Sequence, residues 1–179
     1  MFELAKIKQD AVLVMHMLGS HGPDYYLRYP PGFARFTLEC QSNTLQSCSQ
    51  QEIINAYDNT IAYTDHVLAD MIEQLQQQKD ADVALLYVFD HGESTGESGF
   101  YLHGAPILFA PDQQTQVPML FWASSTFADR QGIDLDCLKA RRSQMYSHDN
   151  LFHSLLGMLH VESSVKKSEL DIFNSCQTS

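Results

Sequence analysis

The sequence has little positive charge. Lysine and arginine together number 11 against 22 aspartates and glutamates, which gives a formal net charge of −11 at pH 7. The basic residues are scattered, apart from Arg141-Arg142 and Lys166-Lys167. Phosphate backbones and anionic membranes select for clustered lysine and arginine. We therefore expect neither nucleic acid nor an anionic membrane surface to be the main partner.

Long apolar segments are also absent. No uninterrupted apolar run approaches the roughly 18 residues of a transmembrane helix, and the amino terminus lacks the basic-then-apolar pattern of a signal peptide. We expect the chain by itself to be soluble, with no membrane span and no signal peptide. Its 179 residues, 44% of them hydrophobic, can bury one sizeable core. This indicates one globular domain or part of one.

Cysteine is scarce, and none of the four forms a C-x-x-C pair, which argues against a thiolate zinc site or a thioredoxin-like motif. Cys40 and Cys48 flank a short polar segment that a disulfide can close. The sequence leaves open whether they form this bridge or remain two unpaired thiols. A bridge would imply an oxidising compartment. The pairing of Cys137 with Cys176 is also left open.

The apolar residues that are present fall into strand-like and helix-like patterns. Short apolar runs predict buried strands at 11–15, 83–89 and 117–123. Ser49 and Glu52 form a capping-box pattern, and helical spacing of apolar residues then predicts an amphipathic helix from about Gln50 to Gln78. A helix between two strands suits a parallel crossover, so we expect an α/β fold.

Other segments are predicted to be less regular. Residues 25–36 carry three tyrosines, two phenylalanines and Pro30-Pro31-Gly32, which is typical of an irregular packed loop. Asp149 is expected to cap a last helix with an apolar leucine stripe. Residues 161–179 are expected to form a polar tail with few anchors.

Candidate ligands follow two of the predicted strands. Asp90-His91-Gly92-Glu93-Ser94 comes after the second strand, and His103 lies a little further on. A carboxylate and an imidazole supply the oxygen and nitrogen ligands that a divalent ion such as zinc accepts. His16 and His21 follow the first strand. Because ligands of open α/β sheets bind outside the carboxyl ends of strands, these groups are predicted to share one site.

Several of these residues also have ordinary structural explanations. Glu93 either orients His91 or is a solvated acid in a turn. His16 can satisfy a backbone group at the end of a strand, and His148 can belong to a helix cap. The tyrosines of residues 25–29 either contact lipid or, as we favour, pack within their loop.

Five motifs occur in a recognisable order. They are His16-Met17-Leu18-Gly19-Ser20-His21-Gly22-Pro23, Tyr29-Pro30-Pro31, Asp90-His91-Gly92-Glu93-Ser94, Tyr101-Leu102-His103-Gly104 and Ser147-His148-Asp149-Asn150-Leu151-Phe152. Together they resemble the carboxyl-terminal part of the catalytic domain of the lipid A phosphoethanolamine transferases. That family includes the mobile colistin-resistance (polymyxin-resistance) enzymes and belongs to the alkaline phosphatase and sulfatase superfamily. The likeness runs along nearly the whole chain.

The resemblance implies an alkaline-phosphatase-like sandwich with a mainly parallel sheet flanked by helices. It also implies a Zn²⁺-dependent domain on the periplasmic side of the inner membrane, which moves phosphoethanolamine from phosphatidylethanolamine to a lipid A phosphate. Asp90 and His91 would be zinc ligands. His21 and His103 would bind the phosphoethanolamine phosphate or an additional zinc, and one of them could protonate the leaving alkoxide.

The same resemblance implies missing parts. Residues 1–179 would be the carboxyl-terminal portion of a single catalytic domain, without the membrane region and without the first half, which supplies an acidic ligand and a threonine nucleophile. Thr60, Thr64 and Thr95 do not match that nucleophile. We therefore expect the chain alone not to turn over, and an exposed sheet edge to favour homo-oligomers.

Two alternatives remain open. A sulfatase or phosphodiesterase of the same superfamily would keep an Asp-His pair and a later histidine on the same sheet. A non-catalytic domain would bind a structural metal, or none, and act by associating with a partner.

Overall fold

The computed structural model describes residues 6–178. The chain divides into two compact units, which we describe separately. The first unit contains the described residues up to Gln78 together with Tyr87–Met119. The second contains Lys79–Leu86 and the described residues from Leu120 onward.

Five α-helices and four strands make up the regular structure of the described chain. In order they are α1 (Gln50–Gln76), β1 (Ala84–Val88), β2 (Ser94–Thr95), β3 (Tyr101–Leu102), α2 (Asp112–Thr115), β4 (Met119–Ala123), α3 (Ser125–Gln131), α4 (Leu135–Ala140) and α5 (His148–Met158). Single turns of 3₁₀ helix lie at Tyr25–Leu27, Pro31–Phe33, Leu45–Ser47, Glu97–Gly99, Ser168–Leu170 and Asn174–Cys176. Strands β1 and β4 form one two-stranded sheet, and β2 and β3 form an antiparallel hairpin.

Helix α1 organises the first unit. Its amino terminus has the predicted capping box, in which the Ser49 side chain accepts from the Glu52 amide and the Glu52 side chain accepts from the Ser49 amide. The helix buries one face, including Ile53 and Ala56, against a core that also contains Tyr25 and Leu45. The predicted helix is thus confirmed, and it ends two residues earlier than expected.

The loop before α1 is irregular and packed, as predicted. The buried amide of Asn59 on α1 accepts hydrogen bonds from the amides of Arg35 and Phe36, at 2.7 and 2.9 Å. It also donates to the Phe36 carbonyl at 2.9 Å. Residues 25–36 are therefore attached to the helix through backbone groups that would otherwise lack partners.

In the second unit, residues 120–123 of β4 lead through Ser124 directly into α3. Ser124 caps this helix by accepting from the Phe127 amide, and its side chain also accepts from the Val83 amide at 3.2 Å. The sequence pattern predicted both strands, although the observed strands are shorter. Residues of β1 are half-buried rather than buried.

Two predictions about this unit are wrong. Helix α5 is capped by Ser147, with Asn150 completing a capping box, and not by Asp149. The carboxyl-terminal segment is anchored instead of forming a polar tail, because Ile172 and Phe173 are buried and Cys176 is disulfide-bonded to Cys137. A short apolar pair and one cysteine are enough to fix a segment that is otherwise polar.

The predicted strand at residues 11–15 is also wrong. The segment has no regular secondary structure, and its apolar side chains are exposed, with Val14 at 90%. A strand requires a neighbouring strand to pair its backbone groups, and an apolar run alone does not supply one.

Both cysteine pairs are disulfides, Cys40–Cys48 and Cys137–Cys176. Of the two alternatives that the sequence left open for Cys40 and Cys48, the bridge is therefore the correct one. Among residues 6–178, no helix has both the length and the apolar character that crossing a bilayer demands.

Candidate metal and phosphate site

Three histidines from separate loops of the first unit come together. His91 follows β1, His103 follows β3, and His21 lies in the loop before α1. The ring centroids are 4.2 Å apart for His91 and His103, 4.9 Å for His21 and His103, and 6.0 Å for His21 and His91. One ligand nitrogen from each ring lies within 4.8 Å of the other two. We call these residues the histidine cluster.

Each ring of the histidine cluster uses its Nδ1 atom in a hydrogen bond to an oxygen acceptor. His21 Nδ1 lies 2.7 Å from the Gly22 carbonyl, and His91 Nδ1 lies 3.0 Å from the Gly92 carbonyl. His103 Nδ1 lies 3.1 Å from Glu93 Oε1. A carbonyl can only accept, so Nδ1 of His21 and of His91 carries the proton. In the neutral rings the Nε2 lone pairs are then free for a metal or another electrophile.

Glu93 connects the loops that carry the cluster. Its carboxylate is buried and accepts from the Gly22 amide through both oxygens, at 3.0 and 3.1 Å. It also accepts from the Tyr25 hydroxyl and bonds to His103. Glu93 is therefore not a solvated acid in a turn, and its histidine partner is His103, not His91 as the sequence suggested.

Burial keeps the tyrosines around Glu93 protonated. Burial raises the pKa of Tyr25 far above its ordinary value, and the hydrogen bond to Glu93 raises it further. The pKa of Tyr57, whose ring packs edge-on against that of Tyr25, is raised to about 12, mainly by burial and then by the Glu93 charge. Tyr25 thus remains a hydrogen-bond donor to the carboxylate across the whole neutral range.

Two glycines allow the loops to approach this closely. A Cβ at Gly22 would lie 2.8 Å from Glu93 Oε2 and 2.6 Å from a Leu102 methyl group. A Cβ at Gly92 would lie only 1.9 Å from the Gln113 carbonyl oxygen. At the pairs His21-Gly22 and His91-Gly92 a side chain on the glycine would therefore collide with neighbouring loops, whereas a Cβ at Gly104 would meet no atom within 4 Å.

Asp90 lies beside the cluster but is not one of its three members. Its side chain is 82% exposed, and Oδ2 is 3.9 Å from His91 Nε2. Partial desolvation works to raise the pKa of Asp90, but the hydrogen bond from the His91 amide and the nearby His91 ring outweigh it, so the pKa lies below its ordinary value. The carboxylate is charged near neutral pH and lies next to the His91 ring.

The structure does not add the other candidates to the cluster. His16 is exposed, and His148 is the first residue of α5. Thr95 is buried and hydrogen-bonds to Glu97. Thr60 and Thr64 are buried on α1.

Sequence reasoning missed two residues of the site. Tyr25 was assigned to loop packing, although its hydroxyl reaches Glu93 from 68 residues away. The buried Gln114 donates to Ser94 Oγ at 2.9 Å, and its carbonyl accepts from the Gly92 amide at 3.0 Å. No local pattern identifies either contact, because both depend on the tertiary fold.

The donor set fits a zinc ion. Zinc binds imidazole nitrogen at about 2.0–2.1 Å, so tetrahedral donors lie roughly 3.4 Å apart. The three ligand nitrogens already lie within 4.8 Å of one another, and Asp90 offers an oxygen at the edge. The arrangement is therefore a candidate site for a divalent metal ion, and zinc is one ion that accepts these ligands.

Comparison with known proteins agrees with this architecture. The model of the sulfatase family matches residues 2–161. The chain belongs to the sulfatase family. It is similar to the phosphoethanolamine transferase EptA of Escherichia coli K12, with 45% identity over 173 residues, which cover 96% of this chain and 32% of the relative. It is 48% identical over 122 residues to the phosphatidylethanolamine transferase Mcr-1 of Escherichia coli, over 68% of this chain and 23% of Mcr-1.

Solved structures show the same fold. The soluble domain of the lipooligosaccharide phosphoethanolamine transferase A of Neisseria meningitidis matches with a TM-score of 0.93 and 41% identity, over 98% of this chain and 53% of that one. The periplasmic domain of the phosphoethanolamine transferase EptC of Campylobacter jejuni matches with a TM-score of 0.80 and 42% identity, over 90% and 50%. The expected sulfatase-like α/β fold is thus confirmed. The chain spans about a third of the length of the EptA relative.

Proposed function

We propose that this chain is part of a zinc-dependent phosphoethanolamine transferase that moves phosphoethanolamine from phosphatidylethanolamine to a phosphate of lipid A. The observation that carries the proposal is the convergence of three imidazole nitrogens beside Asp90. It is supported by similarity to transferases of this kind over 96% of the chain. Because relatives extend well beyond the matched region, the activity is proposed for the complete enzyme.

Asp90 and His91 are the proposed zinc ligands, and His21 and His103 are proposed to bind the phosphoethanolamine phosphate or an additional zinc ion. A zinc ion held there offsets negative charge on phosphoryl oxygens and lowers the pKa of a hydroxyl nucleophile. His103, oriented by Glu93 through Nδ1, presents Nε2 to the phosphate region. A proton on Nε2 of His21 or His103 can pass to the leaving alkoxide.

We propose that residues 1–179 supply this ligand half of the site and that the nucleophile lies in sequence that the longer relatives possess. On this basis the isolated chain binds metal but does not turn over. The two disulfides and the similarity to a periplasmic domain favour the periplasmic side of the inner membrane as its location.

Metal titration of the chain tests the proposal. Zinc binding measured by calorimetry should weaken at least about tenfold in Asp90→Ala and in His91→Ala, because each change removes a proposed ligand. The matched control is His66→Ala, which removes an imidazole from α1. Undiminished zinc binding in both site variants would contradict the assignment of Asp90 and His91 as ligands. The non-catalytic interpretation would then be favoured.

A hydrolase is the second candidate, since the matching family model is that of the sulfatases. Both chemistries use a metal and a phosphate-like or sulfate-like group at the same place. Assays of the complete enzyme separate them: release of free sulfate or phosphate from simple esters indicates hydrolysis, whereas transfer of phosphoethanolamine to lipid A indicates the transferase.

A further inference from the structure

The buried side chain of Glu93 uses all of its hydrogen-bonding capacity within the first unit. Oε1 accepts from the Gly22 amide at 3.0 Å and lies 3.1 Å from His103 Nδ1. Oε2 accepts from the same amide at 3.1 Å and from the Tyr25 hydroxyl. A carboxylate has about four acceptor positions, two on each oxygen, and these contacts occupy all of them. Glu93 therefore has no acceptor position left for a metal ion, although it closely follows His91 in the sequence.

The contact with Glu93 fixes the tautomer of His103. The Glu93 side chain is only 4% exposed, and a carboxylate only accepts hydrogen bonds, so Nδ1 of His103 carries the proton. In the neutral ring the lone pair then lies on Nε2. The Nδ1 partner of His21 and of His91 is a backbone carbonyl, whereas that of His103 is a side chain. Within the histidine cluster, the tautomer of His103 is thus the one that a substitution of its partner can change.

The same carboxylate also holds His21. Glu93 accepts from the Gly22 amide, and the Gly22 carbonyl lies 2.7 Å from His21 Nδ1. The His21 ring is therefore attached to Glu93 through one intervening residue. The ring centroids of His21 and His103 are 4.9 Å apart. One carboxylate thus contacts both loops that carry these imidazoles and fixes the spacing between them.

We propose that Glu93 is a positioning residue for His21 and His103, and that its carboxylate fixes His103 in the tautomer with the proton on Nδ1. This inference rests on the proposed function, in which these two imidazoles bind the phosphoethanolamine phosphate or an additional zinc ion. With Nδ1 protonated, His103 can bind a metal only through Nε2. A proton that passes from His103 to the leaving alkoxide likewise departs from Nε2 and leaves the neutral ring with its proton on Nδ1. Buried carboxylates hold the histidines of serine proteases in one tautomer in the same way.

Two other roles fit Glu93 less well. Direct metal binding would displace one of its hydrogen bonds and leave a buried donor without a partner, which is costly. A purely structural support would hold the loops through an amide as well as through a carboxylate, because an amide oxygen also accepts from Gly22 and Tyr25. Glutamine at position 93 therefore separates positioning from structural support.

NMR of the metal-free 179-residue chain, labelled with ¹⁵N in its histidines, tests the inference with Glu93→Gln. If the amide oxygen accepts from Gly22 and Tyr25, the amide nitrogen faces His103 and donates to Nδ1. The proton of His103 should then move to Nε2. Spectra at about pH 8, where an ordinary imidazole is neutral, should show the proton on Nδ1 in the wild type and on Nε2 in the variant. The signals that disappear in His103→Asn identify this ring.

Glu97→Gln is the matched control. It makes the same substitution at a carboxylate that accepts from the Thr95 amide and hydroxyl, so the tautomers of the histidine cluster should not change. The Glu93→Gln protein also contains its own controls. His21 and His91 should keep the proton on Nδ1, because their partners are backbone carbonyls.

Tyr25→Phe separates the tautomer from stability. It removes a donor to Glu93 but leaves the carboxylate in place, so His103 should keep the proton on Nδ1. A switched tautomer in Tyr25→Phe would attribute the effect to a loosened structure and would overturn the inference. So would a proton on Nε2 in the wild type, or a proton on Nδ1 in both the wild type and Glu93→Gln. If Glu93→Gln does not fold, the wild-type and Tyr25→Phe spectra decide.

The NMR test uses no metal and is independent of the zinc titration. Zinc binding that weakens in Asp90→Ala and His91→Ala, together with an unchanged His103 tautomer in Glu93→Gln, would contradict this inference alone. Undiminished zinc binding in the first two variants, together with a switched tautomer in the third, would contradict the proposed function alone.

Discussion

At the residue scale, the hydroxyl of Tyr25 is the most informative single group. Tyr25→Phe should destabilise the chain by about 1–3 kcal/mol, because the buried Glu93 carboxylate loses a donor. Glu93 orients His103, which we propose to bind phosphate or an additional zinc ion, so the change should also weaken zinc binding at His103 by about 10–100-fold. Denaturant unfolding and zinc calorimetry measure the two effects.

Tyr26→Phe is the matched control for that experiment, because it removes the same hydroxyl from the next, half-buried residue. It should leave both quantities near their wild-type values. A Tyr25→Phe protein with normal zinc affinity would limit the residue to a structural role.

The glycine of the Asp-His-Gly motif gives a second prediction at this scale. In Gly92→Ala the new methyl group meets the Gln113 carbonyl at 1.9 Å, so we expect a loss of at least about 1–3 kcal/mol. Gly32→Ala has no atom within 4 Å of the new Cβ and should be neutral or stabilising by about 0.4–1 kcal/mol. Urea unfolding of the two variants checks the contrast, and equal stabilities would show that the loop moves aside without cost.

The sequence indicated candidate residues of the site but not the residues that support them. Asp90, His91 and His103 became candidates because a carboxylate and glycine-flanked histidines near the end of a strand form a local pattern, and the structure brings His91 and His103 together with His21. Glu93 was assigned the wrong histidine, because its partner depends on how a hairpin folds back and not on adjacency. Tyr25 gave no local signal for the same reason.

At the element scale, the amino terminus of α1 makes stability depend on pH. The hydrogen bonds from the backbone and side chain of Ser49 lower the pKa of Glu52 below its ordinary value. A group with a depressed folded-state pKa contributes stability above its unfolded pKa of about 4.3 and loses it as pH falls through the lower folded value.

Glu52→Gln should therefore cost stability at pH 7 and cost less at pH 3, where the carboxylate is being protonated in the wild type. Unfolding by urea at the two pH values measures the difference. The control is Glu73→Gln, which removes the same charge near the other end of the helix. The difference between the two variants isolates the effect of the capping box from the general effect of removing a charge. An identical cost at both pH values would show that the capping box does not depend on ionisation.

The accuracy of the predicted elements follows from how local their causes are. Helix α1 could be placed within two residues because a capping box and a 3.6-residue period lie in its own sequence. The predicted strand at 11–15 was wrong because a strand forms only where a partner strand pairs with its backbone. The predicted polar tail at 161–179 was wrong because Cys176 is anchored by Cys137, which lies 39 residues away.

At the scale of the whole molecule, the segment 11–15 exposes a run of apolar side chains. We propose that it pairs with a second copy of the chain, because Val12 and Val14 are 59% and 90% exposed on backbone that forms no strand. Sedimentation velocity should show a sedimentation coefficient that rises with protein concentration. Val12→Ser/Val14→Ser should reduce this dependence.

Met145→Ser/Val165→Ser serves as the control, since it removes exposed apolar surface elsewhere. A monodisperse monomer at every concentration would remove the proposal.

The Nδ1 hydrogen bonds of the histidine cluster have one more consequence, for metal selectivity. They leave the Nε2 atoms of the three rings as possible metal donors, and affinity for such donors rises along the first transition series to a maximum at copper. Copper and nickel are therefore expected to compete with zinc at the site that we propose. The supply of metals around the protein would then decide which ion binds there, and excess copper should displace zinc.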